Sequence, residues 1–231
     1  MTNRLTASSS RTERDRDPSS RLPDASVVTT ASLGSHWYLP EPLEPRYAYP
    51  VLVLVRSVRE ADDPGQALAE ERAWVDAIGR QNAAIVCVGP IAEPTDESVD
   101  RAPEETLDLL IGQALLMRPP EIELRDDRVF VAGCGTAGLT AFRAWQTAES
   151  RFAGVVCVRP PKVPSCRLAS GRQAGRLLVT GGTGWRRTAM ALFAAGAHVE
   201  LRPGLNDLPT TAAAINGWLM RSIPTAVGLS G

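Results

Sequence analysis

Residues 128–145 read RVFVAGCGTAGLTAFRAW: an apolar run, a glycine-rich turn, then apolar residues at helical spacing. Residues 129–132 form a short, continuous apolar run, which predicts a strand, and residues 138–149 carry the helical pattern. The turn between them, Gly133-Cys134-Gly135-Thr136-Ala137-Gly138, satisfies G-x-G-x-x-G. After a strand and before a helix, such a turn lets the backbone approach a pyrophosphate at the helix N-terminus. Alone the pattern is weak, because glycine is common in strand-to-helix turns.

The same alternation extends on both sides. Residues 51–55 (VLVLV), 84–88 (AIVCV), 155–158, 177–180 and 198–201 read as further strands. Residues 65–80, 104–117, 187–195 and 210–222 read as helices, the first with Leu68, Trp74, Val75 and Ile78 at helical spacing. Short apolar strands separated by helices predict a mostly parallel sheet covered on both faces, a three-layer α/β fold.

Outside this core the texture changes. Residues 1–30 are rich in Ser, Thr, Arg and Asp and have few large apolar groups, so they are expected to be disordered. Residues 31–223 are expected to form one domain and residues 224–231 a frayed tail. HWYLPEPLEPRYAYP, residues 36–50, predicts an extended entry segment packed on the domain edge.

The chain of 231 residues is long enough for one sizeable core, and a formal charge of −1 gives no global pull toward nucleic acid or membrane. The N-terminus has charges but no apolar core of a signal, and no apolar run approaches bilayer length. The expected compartment is therefore the cytoplasm. Cys87, Cys134, Cys157 and Cys166 form no C-x-x-C, and the two histidines lie far apart, so neither a redox pair nor a metal site is indicated. No cofactor is expected.

Two readings of the glycine turn compete. The dinucleotide fingerprint belongs to a first strand–helix unit, whereas at least two such units precede this one. The next strand ends in Val158-Arg159-Pro160, without an acid for a ribose hydroxyl. Arg159 and Lys162 suit a 2′-phosphate instead, which leaves an NADP-type nucleotide binder using the Gly133–Gly138 turn as an alternative. The other reading is a nucleophile elbow, a sharp strand-to-helix turn in which small residues let strand and helix approach closely.

RVFVAG…AGLTAFRAW…RFAGVV resembles the elbow region of the α/β-hydrolase superfamily, in particular its phospholipase/carboxylesterase branch. YAYPVLVLV resembles the strand that leads into that family's oxyanion loop. GAHVELRPGLNDLPTTAAAINGWLM resembles its last strand, histidine loop and closing helix. The resemblance spans residues 47–223 in outline and implies a mainly parallel sheet of roughly eight strands.

The resemblance also implies where chemistry would reside: a nucleophile, a base, an acid that orients it, and oxyanion donors. The nucleophile position carries Gly135, which has no side chain. Cys134 beside it is offset by one residue. The base position, in PGLNDLP, carries Asn206, whose amide cannot relay a proton at neutral pH. The acid position falls on Thr183 or Gly184, and no Asp or Glu occurs between Arg151 and Val199. The oxyanion loop reads Arg56-Ser57 rather than His-Gly.

With all four parts replaced, the expectation is a degenerate triad: an esterase-like pseudoenzyme acting in ligand binding or protein association. A weak or atypical carboxylic-ester hydrolase is the enzymatic alternative. The acid-free stretch gathers basic residues, and Arg159, Arg186 and Arg187 are the candidates for an anion-binding or partner-docking surface; homo-oligomerisation is a further candidate. The plainer alternative is a set of solvated arginines balanced by acids elsewhere. Trp185 follows the former acid loop, where it is a candidate plug for the vacated pocket.

Overall fold

The computed structural model describes residues 27–30, 35–44, 47–58, 64–79, 82–92, 103–147, 152–161, 175–182, 184–205 and 207–223. Among the described residues, eight strands and five α-helices follow in the order β1 (Val27–Thr30), β2 (Ser35–Tyr38), β3 (Val51–Val58), α1 (Pro64–Ile78), β4 (Ala84–Ala92), α2 (Pro103–Leu116), β5 (Val129–Cys134), α3 (Thr136–Thr147), β6 (Gly154–Val158), β7 (Arg176–Thr180), α4 (Arg186–Ala194), β8 (His198–Arg202) and α5 (Leu208–Ser222).

The strands form one sheet in the order β1-β2-β4-β3-β5-β6-β7-β8. Pairing from β4 through β8 is parallel, and β2 runs antiparallel to both of its neighbours. Side chains of a strand alternate between its faces. In β3, Val51, Val53 and Val55 join one core with α2, α3 and α4, whereas Leu52 and Leu54 join a second core with α1 and α5. Both faces are buried, so the strands need no polar face and read as continuous apolar runs. This is the three-layer α/β architecture that the alternation predicts.

Two expectations about the N-terminal region are corrected. β1 begins at Val27, inside the segment expected to be disordered, and Val27–Thr30 pairs with Ser35–Tyr38. The aromatic entry segment lies toward the sheet edge, as expected, but part of it is a strand: Trp37 sits beside Val86 and is buried. Short strands of four residues give little periodicity, and their pairing is non-local, so the sequence pattern does not reveal them. Residues 1–26 and 224–231 lie outside the described residues.

Candidate functional site

In a parallel sheet the C-terminal strand ends and the turns that follow them hold the functional residues. β5 ends at Cys134, Gly135 turns with φ +60°, and α3 begins at Thr136. A positive φ costs a residue with a Cβ roughly 1–2 kcal/mol, which glycine avoids. Two flanking glycines have a different reason. A Cβ on Gly133 would lie 2.5 Å from the Ala137 carbonyl atoms, and one on Gly138 would lie 2.7 Å from the Gly133 oxygen. Strand and helix therefore touch backbone to backbone. Around Gly135 the opposite holds: a Cβ there would meet no atom within 4 Å.

The G-x-G-x-x-G pattern thus arises from two glycines needed for packing and one suited to a left-handed turn. The Gly135 N–H donates to the Val158 carbonyl at 2.8 Å, tying the turn to β6, and the Gly135 carbonyl accepts from Gly138 N at 3.1 Å. The turn is a sharp elbow whose tip projects into open space and carries no side chain.

The corresponding loop after β6 brings Arg159 to this tip. Arg159 is a non-glycine residue with φ +45°. Its N–H donates to Thr180 O at 2.7 Å, and Nη2 donates to Cys134 Sγ at 3.7 Å. The stem of Arg159 needs Gly181 to be a glycine, since a Cβ there would sit 2.6 Å from Arg159 Cγ. Cys134 is half-buried, whereas Cys87 and Cys157 are buried. Burial pushes both buried thiols well up; for Cys87 the negative charge of Glu71 adds to the effect.

Neither histidine reaches the elbow. His198 is exposed at the start of β8, beside Arg176, on the edge of the sheet opposite the elbow. His36 stands in β2 rather than ahead of the sheet, which corrects the sequence reading. It pairs across the strands with Cys87, three strands away from β5. Of the family positions, Gly184 is an exposed glycine with φ +91° in the loop before α4. Asn206, Thr183 and Lys162 lie outside the described residues.

Asp207 caps α5. Its carboxylate accepts from Thr210 N at 2.9 Å and from Thr210 Oγ1 at 2.6 Å. These bonds, the side-chain one foremost, hold its carboxyl below the usual range.

The basic stretch divides in two. Arg159 at the end of β6 and Arg186 and Arg187 at the start of α4 are exposed at the C-terminal edge of the sheet. Arg176 begins β7 at the other edge, where its Nη1 donates to Arg221 O at 3.0 Å. Trp185 is buried edge-on against Phe142, with ring centroids 5.3 Å apart. It belongs to the core between the sheet and α2, α3 and α4.

Near the end of β3, at the position where the resemblance implies the oxyanion loop, Arg56 turns inward. Its Nη1 pairs with Glu71 Oε2 at 2.8 Å, and Nη2 donates to Gly89 O at 2.6 Å. Glu71 Oε1 accepts from Tyr38 Oη at 2.8 Å and from His36 Nδ1 at 3.1 Å. Burial, then the bond to Glu71, pushes the Tyr38 hydroxyl upward. The sequence reading misses this network. Its signal is that Glu71 falls on the apolar helical stripe between Leu68 and Val75, where a solvated acid does not belong.

No family model matches the chain, and no curated protein matches it. Solved structures do. The fluorophosphonate-binding serine hydrolase F of Staphylococcus aureus superposes with a TM-score of 0.53 at 12% identity, covering 85% of this chain and 96% of that one. The S-formylglutathione hydrolase of the same organism gives 0.54 at 12% identity, over 82% and 92% of the two chains. An esterase from Rhizomucor miehei gives 0.56 at 14% identity, over 87% and 83%. Among the described residues no helix is long and apolar enough to cross a membrane. The sheet order, the elbow after β5 and these likenesses agree: the chain has the α/β-hydrolase fold.

Proposed function

We propose that this protein is a non-hydrolytic member of its fold, with a degenerate triad, that binds a small anionic ligand at the open elbow. The observation that carries the reading is Gly135: the backbone keeps the turn that would present a nucleophile, and the space beyond it is open, yet no attacking atom is there. Neither histidine stands at the elbow: His36, three strands away, pairs with Glu71, and His198 lies at the opposite edge. Arg159 supplies the positive charge. Its guanidinium rests on a thiol, a weak acceptor that an anion replaces readily.

A second reading, an atypical ester hydrolase, draws on half-buried Cys134 beside the tip. Incubation of the full chain with a fluorophosphonate and with a short-chain aryl ester separates the two. We expect neither labelling nor turnover. Turnover abolished by Cys134→Ser would overturn the non-hydrolytic reading. A thermal upshift with short-chain carboxylates, lost in Arg159→Ala, supports the anion site. An upshift with NADPH alone would move the assignment to the nucleotide reading.

A further inference from the structure

Arg186 and Arg187 point to a second role, separate from the elbow. α2, α3 and α4 lie on the same face of the sheet and share one hydrophobic core. Each returns the chain between parallel strands, so the three helices run in the same direction. α3 presents Arg143 as its exposed residue among 136–146. α2 and α4 flank it and carry large apolar side chains outward. Leu116 is 82% exposed, Phe193 71%, Met190 65% and Leu109 52%. Isolated exposed apolar residues are ordinary, but a set on two helices of one face marks a contact surface.

The two outward stripes open alike, with opposite charge. On α2, exposed Glu105 precedes Leu109 by four residues, and Leu116 continues the same stripe. On α4, exposed Arg186 precedes Met190 by four residues, and Phe193 continues it. Four residues span about 6 Å along a helix, so charge and first apolar group are equally spaced on both. A two-fold axis parallel to the helices, passing over α3, lays α2 of one copy along α4 of the other. The two helices are then parallel, the acidic stripe of α2 faces the basic stripe of α4, and the contact occurs twice by symmetry.

We propose that this face is the interface of a homodimer, with α2 of each protomer seated on α4 of the other. The inference is independent of the elbow's chemistry. Sedimentation of the full-length chain tests it, with circular dichroism confirming that each variant folds. We expect a dimer, weakened roughly tenfold or more by Phe193→Glu. Arg186→Glu/Arg187→Glu and Glu105→Arg are each expected to weaken self-association. Mixing these two variants restores it, because both halves of the mixed interface regain opposite charges. A monomer at every concentration overturns the proposal, as does a dimer insensitive to Phe193→Glu or a charge-reversed mixture that fails to associate.

Discussion

Two corners of the C-terminal sheet edge are held together in opposite ways. At the elbow, between β5 and α3, the backbone keeps its bend while the tip carries only Gly135. At the corner of β2, β3 and α1, the expected oxyanion residues are replaced, and Arg56 is drawn into a buried network around Glu71. The first corner is held by close backbone packing of Gly133 against Gly138, which needs no side-chain chemistry. The second is held by charge and hydrogen bonds that belong to no catalytic scheme. The bend of the elbow is therefore maintained by packing, whatever stands at its tip.

The largest effect should come from the charged corner. Glu71→Ala leaves the Arg56 guanidinium, itself largely buried, without its carboxylate and removes the acceptor of Tyr38. A loss of about 3–5 kcal/mol in urea unfolding is expected. A loss below about 1 kcal/mol would place the stability of this corner in its apolar contacts instead.

Next comes the backbone contact of the elbow. Gly138→Ala forces a methyl to within 2.7 Å of the Gly133 oxygen, so β5 and α3 must separate. A loss of about 1–3 kcal/mol is expected, read by the same unfolding measurement.

Gly135→Ser should be milder, since its side chain meets open space and only the left-handed turn opposes it. About 1–2 kcal/mol is expected. If Gly135→Ser costs more than Gly138→Ala, the contrast between an open tip and a packed base is wrong.

The smallest effect is at Asp207. Its carboxyl is lowered in the folded state, so its contribution is present at neutral pH and is lost as pH falls through its folded value. Melting temperature against pH should fall less steeply in Asp207→Asn, which keeps a capping oxygen without the titrating charge.

Much of the central sheet was legible, for a physical reason. A strand buried on both faces is a continuous apolar run, and residues 51–55, 84–88 and 129–132 announce themselves. The helices are legible from their spacing, with ends shifted by at most two residues where fraying blurs the pattern. β1 and β2 were not, because four-residue strands are stabilised by partners distant in sequence. The pairing of His36 with Glu71, 35 residues apart, depends on how β2 docks against β4 and α1. Asp207 lies three residues before Thr210 and was within reach, as an acid at the start of a helix is a cap signal.

By itself the sequence determined the alternation of strands and helices, the glycine elbow and the absence of acids between Arg151 and Val199. Those properties are local, set by residue type and spacing. Only the tertiary structure decided that Gly133 and Gly138 serve packing, that the space at Gly135 is open, and that both histidines are held away from it. It also decided that Glu105 and Arg186 begin matching stripes on one face. These are relations between segments that only the folded chain brings to one place.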